Sequence, residues 1–303
     1  MRIGVVILNW NAAEETIACV ELIKRWAGIS PDIYVVDNNS AKDDQDILFA
    51  HRNEFHIIKN RVNEGFSGGN NAGIKAALDN NAAVLLINSD ARMAEKDAGL
   101  LIETLASSYN IGVVGPVFYD NYTNKLLNAG GKDIGWNYIS HLTTIPEKEK
   151  VYDVDYVSGT AILVRSEVFQ KIGLFDERYF FSGEVADFCK RVCRYKKPDG
   201  SRFRVVINPK ARATHNLKTA AHHREKLYTY YTVRNRYLYV RKFLKIYSPV
   251  LYLFWTYKHL KHAFNCYRMG RNEVVKVIMR GLAHGLIGRV GPMCTQNNID
   301  RGL

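Results

Sequence analysis

The chain has 303 residues, 47% of them hydrophobic, enough to bury a full core as one large domain or as one domain with a substantial appendage. Its five cysteines are odd in number and widely scattered, which excludes a disulfide framework; with an amino-terminal apolar run too short for a signal peptide, they place the chain in a reducing cytoplasm. The net charge of +12 is uneven: residues 216–289 hold fifteen Lys or Arg against Glu225 and Glu273, a local +13 on an otherwise near-neutral body, so the tail suits nucleic acid, anionic lipid or an acidic substrate.

In chain order, short apolar runs predict strands at 4–8, 33–36, 56–58, 84–87 and 112–117, with amphipathic helices at 14–26, 67–78 and 95–107 between several of them. Strand and helix alternating in this way argue for an α/β domain with a mostly parallel sheet covered on both faces. Further strands are expected at 156–164 and 204–207. A helix is expected to run from about Glu184 towards Arg194; Cys189 and Cys193 fit its face better than a metal site, since no second Cys or His pair completes one. From about Ala221 the tail reads as helical, rich in Tyr, Lys and Arg. This divides the chain into a body, 1–220, and a basic aromatic extension, 221–303.

The early strands all run into polar groups. Strand one ends in Leu8-Asn9-Trp10-Asn11 and strand two in Asp37-Asn38-Asn39-Ser40. The third leads to a glycine-rich segment from Asn63 through Gly65, Gly69 and Asn70 to Gly73, and the fourth ends in Asn88-Ser89-Asp90. Any one of these is readable as a turn, because Asn and Asp bond their own backbone. Four at one edge of a parallel sheet instead predict a ligand crevice. The glycine-rich segment precedes a helix whose free N–H groups suit an anion or a polar ring, yet it is no dinucleotide fingerprint, because Gly-x-Gly-x-x-Gly is absent from it.

These motifs, with Val157-Ser158-Gly159-Thr160-Ala161, Phe175-Asp176-Glu177, His215 and Arg234-Asn235, resemble those of the bacterial family-2 glycosyltransferases of GT-A fold, especially the rhamnosyltransferase-like group. The resemblance covers nearly the whole chain and is specific for the family but not for the sugar. It implies a nucleotide-sugar donor held by Leu8, Asn9, Asn11 and Asp37, with Asn63, Gly65, Gly69 and Asn70 closing over the base and Asn88 beside the diphosphate. It also implies a divalent cation, Mg or Mn, on Asp90 with a nitrogen from His215, and it places Ser158, Gly159, Thr160 and Arg234 on the acceptor or donor-sugar side. Asn88 stands where many members carry a second Asp, so the site is less negative and is expected to take metal together with the sugar nucleotide.

One position departs from the family. Inverting transfer needs a carboxylate to deprotonate the acceptor hydroxyl, usually within Glu-Asp-x-Asp; here the sequence reads Glu184-Val185-Ala186-Asp187, with valine in the place of the usual base. Glu184 and Asp187 remain, three apart and so on one helix face. Each is open to two readings, as the catalytic base or as a complement to the positive end of that helix. The expected function is therefore transfer of a sugar from dTDP-rhamnose or a UDP-sugar to a glycan or lipid-linked glycan in cell-surface polysaccharide synthesis. The alternative is a catalytically impaired sugar-nucleotide or glycan-binding protein. In the tail, residues 246–257 are apolar, too short to span a bilayer and interrupted by Pro249; Lys242, Lys245, Lys258 and Lys261 flank them. That pattern suits an anionic membrane surface at the inner face of the cell membrane, or a helical hairpin packed on the body, or both. No nucleic-acid module is recognised, so nucleic acid is not expected as a partner.

Overall fold

The computed structural model describes residues 1–215 and 221–293, with side chains from residue 225 in the second stretch. The first half alternates strand and helix: β1 (Ile3–Asn9), α1 (Ala13–Lys24), β2 (Asp32–Asp37), α2 (Lys42–Ala50), β3 (His56–Lys59), α3 (Gly65–Leu78), β4 (Ala83–Asn88), β5 (Ala91–Arg92), α4 (Glu95–Ser107) and β6 (Ile111–Asp120). The pattern then loosens into β7 (Leu126–Asn128), β8 (Tyr152–Asp153), β9 (Ala161–Arg165), α5 (Ser166–Ile172), α6 (Glu184–Arg194) and β10 (Arg204–His215). Three helices follow among the described residues: α7 (Ala221–Phe243), α8 (Ser248–Arg268) and α9 (Asn272–Ile287).

The strands form one sheet in the order β3-β2-β1-β4-β9-β6-β10-β5, with β7 beside β6 and β8 beside β10. From β3 to β4 every pairing is parallel, as is β6 with β10. β9 runs antiparallel to both β4 and β6, so the sheet is mixed. The strand expected at 156–164 is accordingly shorter: only Ala161–Arg165 joins the ladder, and Tyr156 makes an isolated bridge to Gly131.

The apolar runs are continuous because both faces are covered. Val5, Ile7, Val35 and Leu85 pack with α1 and α4 on one side, while Val6, Val36, Val84 and Leu86 pack with α3, α5 and α6 on the other. Each such side chain contributes about 1.5–3 kcal/mol on burial. The glycines of α3 set its distance from the sheet. A Cβ on Gly73 would lie 2.3 Å from Val6 Cγ1, and one on Gly69 would lie 2.4 Å from Leu8 Cδ1. The tail helices build their own cluster from Val233, Tyr237, Leu251, Trp255, Ile278 and Leu282, while Tyr239 of α7 enters the core of the body. Pro249 opens α8 instead of interrupting it, as its missing N–H allows in a first helical turn.

Candidate active site

The parallel register sets Asn9 beside Asp37 and Leu8 beside Asn88, so three strand ends meet at one edge. Their polar side chains divide into two groups. Asn9 turns inward: its amide donates to Ser40 Oγ (3.0 Å) and to the Asp44 carboxylate (2.7 Å), and its Oδ1 accepts from Thr16 (2.8 Å). Asn11, at φ 52°, accepts from the Ala41 N–H, and its own N–H goes to Ser40 Oγ. Both fasten the end of β1 to the loop after β2, so the Asn9 side chain is committed within the protein. Asn38 plays the same part for the next loop: it donates to Asn63 Oδ1 and the Gly65 carbonyl and accepts from Asn60 and the Glu64 N–H. The Asn70 amide donates to the Phe66 carbonyl.

Asp37 differs. One oxygen accepts from the Ser40 N–H, while Oδ2 is buried without a hydrogen-bond partner. Such an orphan is costly unless something else donates to it, and a base N–H or ribose hydroxyl has that chemistry. The glycine-rich run corrects one expectation. It forms the first turns of α3 itself, and the N–H groups of Phe66 and Ser67 both point at the Phe180 carbonyl, not at an open anion site. Gly65 is required there: it sits at φ +71°, and a Cβ would meet the Phe180 oxygen at 2.3 Å.

Beyond β4 the chain turns through Ser89 and Asp90 into β5, which pairs antiparallel with the end of β10 so that Ala91 faces His215. The pairing brings His215 Nε2 to 3.2 Å from Asp90 Oδ1. Arg92 ties the turn down through the carbonyls of Ser89 and Ala91. One carboxylate and one imidazole fit a hard divalent ion that takes its other ligands from a diphosphate and water. Among the described residues no cluster of three or more His, Cys, Asp or Glu side chains would hold such an ion by protein groups alone.

Asn88 and His215 open onto a cavity of about 490 Å³ that also takes in Ser158, Gly159, Thr160, Glu184 and Val185. It is also lined by His141, Tyr156, Tyr228 and Arg236, the last two from α7. Glu184 opens α6 from a strained turn in which Phe180, Ser182 and Gly183 all have positive φ. Non-glycine residues adopt that region at a cost of about 1–3 kcal/mol each, so the turn needs external support. The support comes from α7: Arg234 donates to the carbonyls of Arg178, Tyr179 and Gly291, and Asn235 to those of Tyr179, Phe181 and Ser182. Arg234 is only 1% exposed and does not reach the cavity, so its expected place on the sugar side gives way to one as a clamp.

The two candidate carboxylates are not equivalent. Glu184 is 6% exposed, and its Oε2 has no hydrogen-bond partner. Burial, opposed in part by its own backbone N–H and reinforced by the charge of Asp187, pushes its pKa up to about 7. Asp187 is fully buried and does not line the cavity. One of its oxygens takes Arg191 (2.7 Å) and the other Lys242 of α7 (2.6 Å). That committed pairing argues against Asp187 as a base. Lys242 also reaches Asp176 (2.7 Å), where burial alone would raise the carboxyl but Arg178 and Lys242 hold it well below the ordinary range. Val185 is apolar in surroundings as well as in kind: it sits in the core cluster with Phe188, and a Cβ on Gly159 would lie 3.0 Å from its Cγ2.

A parallel half-sheet with a carboxylate–imidazole pair at its edge, joined by an antiparallel strand to a cavity that holds one titratable acid, defines a glycosyltransferase architecture of GT-A type. The chain belongs to glycosyl transferase family 2, whose family model matches residues 4–173. It is 28% identical over 204 residues to the low-salt glycan biosynthesis hexosyltransferase Agl10 of Haloferax volcanii, a match covering 63% of this chain and 62% of that one. It is 24% identical over 221 residues to the dTDP-rhamnosyl transferase RfbF of Shigella flexneri, covering 69% and 71%. Among solved structures, the mannosyltransferase PcManGT of Pyrobaculum calidifontis, in complex with GDP-Man and Mn2+, superposes with a TM-score of 0.58 at 13% identity, over 99% of this chain and 79% of that one.

Proposed function

We propose that this chain transfers a sugar with inversion from a nucleoside diphosphate sugar, a dTDP-rhamnose or a UDP-sugar, to a glycan or lipid-linked glycan acceptor. The observation that carries the reading is Glu184: a buried carboxyl with an unpartnered oxygen, its pKa pushed up to about 7 by burial, in the same cavity as Asn88 and His215. In the reaction Glu184 takes the proton of the acceptor hydroxyl as that oxygen bonds to the anomeric carbon. The bond from carbon to diphosphate breaks on the opposite face, and the nucleoside diphosphate leaves with the electron pair. Asp37 receives the base or ribose through Oδ2. Asp90 and His215 would hold Mg or Mn, which when bound neutralises charge on the diphosphate. Ser158, Gly159 and Thr160 form the sugar-side wall, and Leu8, Asn63, Gly65 and Gly69 shape the nucleotide side. The catalytic unit is residues 1–220, and from the extension, residues 221–303, Tyr228, Thr232, Asn235 and Arg236 line the same cavity. The name of the first relative supports a role in glycan biosynthesis; we place that role in envelope glycan synthesis at the cytoplasmic face of the membrane, a reading supported by the basic, aromatic tail.

The buried, apolar Val185 favours a second reading, a sugar-nucleotide-binding protein without turnover. Release of nucleoside diphosphate from a panel of donors, with and without acceptor, separates the two. Acceptor-dependent release that falls about 10²- to 10⁴-fold in Glu184→Gln supports transfer. Donor binding with no release in the parent supports the second reading.

A further inference from the structure

Helix α8 is amphipathic, and only one side of it is used. Leu251, Trp255, Ala263 and Cys266 are buried against α7 and α9. The opposite side presents Val250, Leu253, Tyr257, Leu260, Phe264 and Tyr267, all exposed, with Ile246 just ahead of the helix in line with them. At 100° per residue these seven fall within an arc of about 100°, a continuous apolar stripe along a helix of 21 residues. Leu253 is 76% exposed, Phe264 60% and Ile246 90%. Single exposed apolar residues are ordinary, but a stripe of this length needs a partner.

We infer that the outer face of α8 docks on an anionic lipid bilayer, lying in the plane of the headgroups. No helix among the described residues is long and apolar enough to cross a membrane, which leaves surface contact for an apolar stripe that is about 30 Å long. Lys245, Lys261 and Arg268 are exposed along the stripe, and no acid occurs between Glu225 and Glu273. A second copy of the chain would set this basic edge against itself under two-fold symmetry, with no acid within residues 226–272 to relieve it. A negative lipid surface supplies both the opposite charge and the apolar layer.

The inference deepens the proposed location at a membrane and rests on that reading for its link to catalysis. Trp255, on the inner face of α8, donates to the Gly135 carbonyl (3.0 Å) and lies 4.0 Å beneath the guanidinium of Arg236, which lines the cavity. A bilayer on the outer face is thus on the order of 15 Å from the Arg236 guanidinium, one helix diameter plus that contact, within reach of an acceptor whose lipid stays in the membrane.

The test is co-sedimentation of the full chain with vesicles of phosphatidylcholine containing phosphatidylglycerol, and with phosphatidylcholine alone. The parent should pellet with the first and not the second. Leu253→Glu combined with Phe264→Glu should lower partitioning more than tenfold, and Lys261→Glu combined with Arg268→Glu about tenfold or more, with unchanged melting and circular dichroism in both. No parental binding to either vesicle would overturn the inference, as would equal binding by the first variant. So would a parental dimer that the first variant splits, which would give the stripe to a second copy. Turnover on a water-soluble acceptor is measured separately, so vesicle binding without turnover would sink the proposed reaction and leave the docking face standing.

Discussion

The crevice at the ends of β1 and β2 and the cavity in front of α6 handle polar groups in opposite ways. In the crevice, Asn9, Asn11, Asn38 and Asn70 each bond the protein through their amides, while Asp37 keeps an unmatched buried carboxylate oxygen. At the cavity the supporting bonds come from outside, from Arg234, Asn235 and Lys242 of α7, while Glu184 is left without a partner for Oε2. A polar residue at a strand end is therefore a poor guide to chemistry by itself. The groups left unsatisfied by the fold are the informative ones, because burying them costs stability that a substrate can return.

If α7 supports the cavity as described, removing its clamps should give the largest effects. Asp187→Asn leaves Lys242 and Arg191 without their shared counter-charge and should destabilise the fold by about 3 kcal/mol, read from urea unfolding. Arg234→Met removes one donor from each of the Arg178 and Tyr179 carbonyls, which keep the Gly291 N–H and the Asn235 amide, and takes the Arg234 donor from the Gly291 carbonyl; it should cost about 1–3 kcal/mol and lower kcat more than it raises KM. In the crevice, Asn9→Ala should cost stability of about 1–2 kcal/mol with donor affinity almost unchanged, whereas Asp37→Asn should weaken donor binding about tenfold with stability intact or raised. The reverse pattern in a donor titration would erase the distinction between the two asparagine and aspartate roles.

Much of this architecture is legible in the sequence, and the failures have physical causes. The apolar runs of β1, β2 and β4 read cleanly because both sheet faces are covered, and the helix expected at 95–107 coincides with α4. Helix α2 gives no apolar period, since Leu48 is its only buried residue. Residues 157–160 carry strand-like composition yet line the cavity. Asn9 and Asp37 look alike as strand-end polar residues, and only the positions of Ser40, Asp44 and Thr16 tell them apart. The meeting of Asp90 with His215 depends on the register of β5 against β10, two residues against two, which no local pattern encodes.

A pH-dependent effect follows from the raised carboxyl of Glu184. The unfolded group titrates near 4.5 and the folded one at about 7, so the folded state holds the proton more tightly. The stability this gives is full below the unfolded value and is lost as pH rises through the folded one. Glu184→Gln removes that loss. It should melt higher than the parent above pH 7, by an amount equivalent to at most about 3 kcal/mol, and much like it in acid.

The pH dependence of kcat/KM tests the central claim, that Glu184 is the base, most directly. With a donor and acceptor in hand, the parent should gain activity as pH rises, with a limb centred near 7. Glu184→Gln should be slower by about 10²- to 10⁴-fold with donor affinity retained, and should lose that limb. A limb unchanged in Glu184→Gln, or full turnover by that variant at neutral pH, would contradict the account and return the search for the base to the other groups lining the cavity.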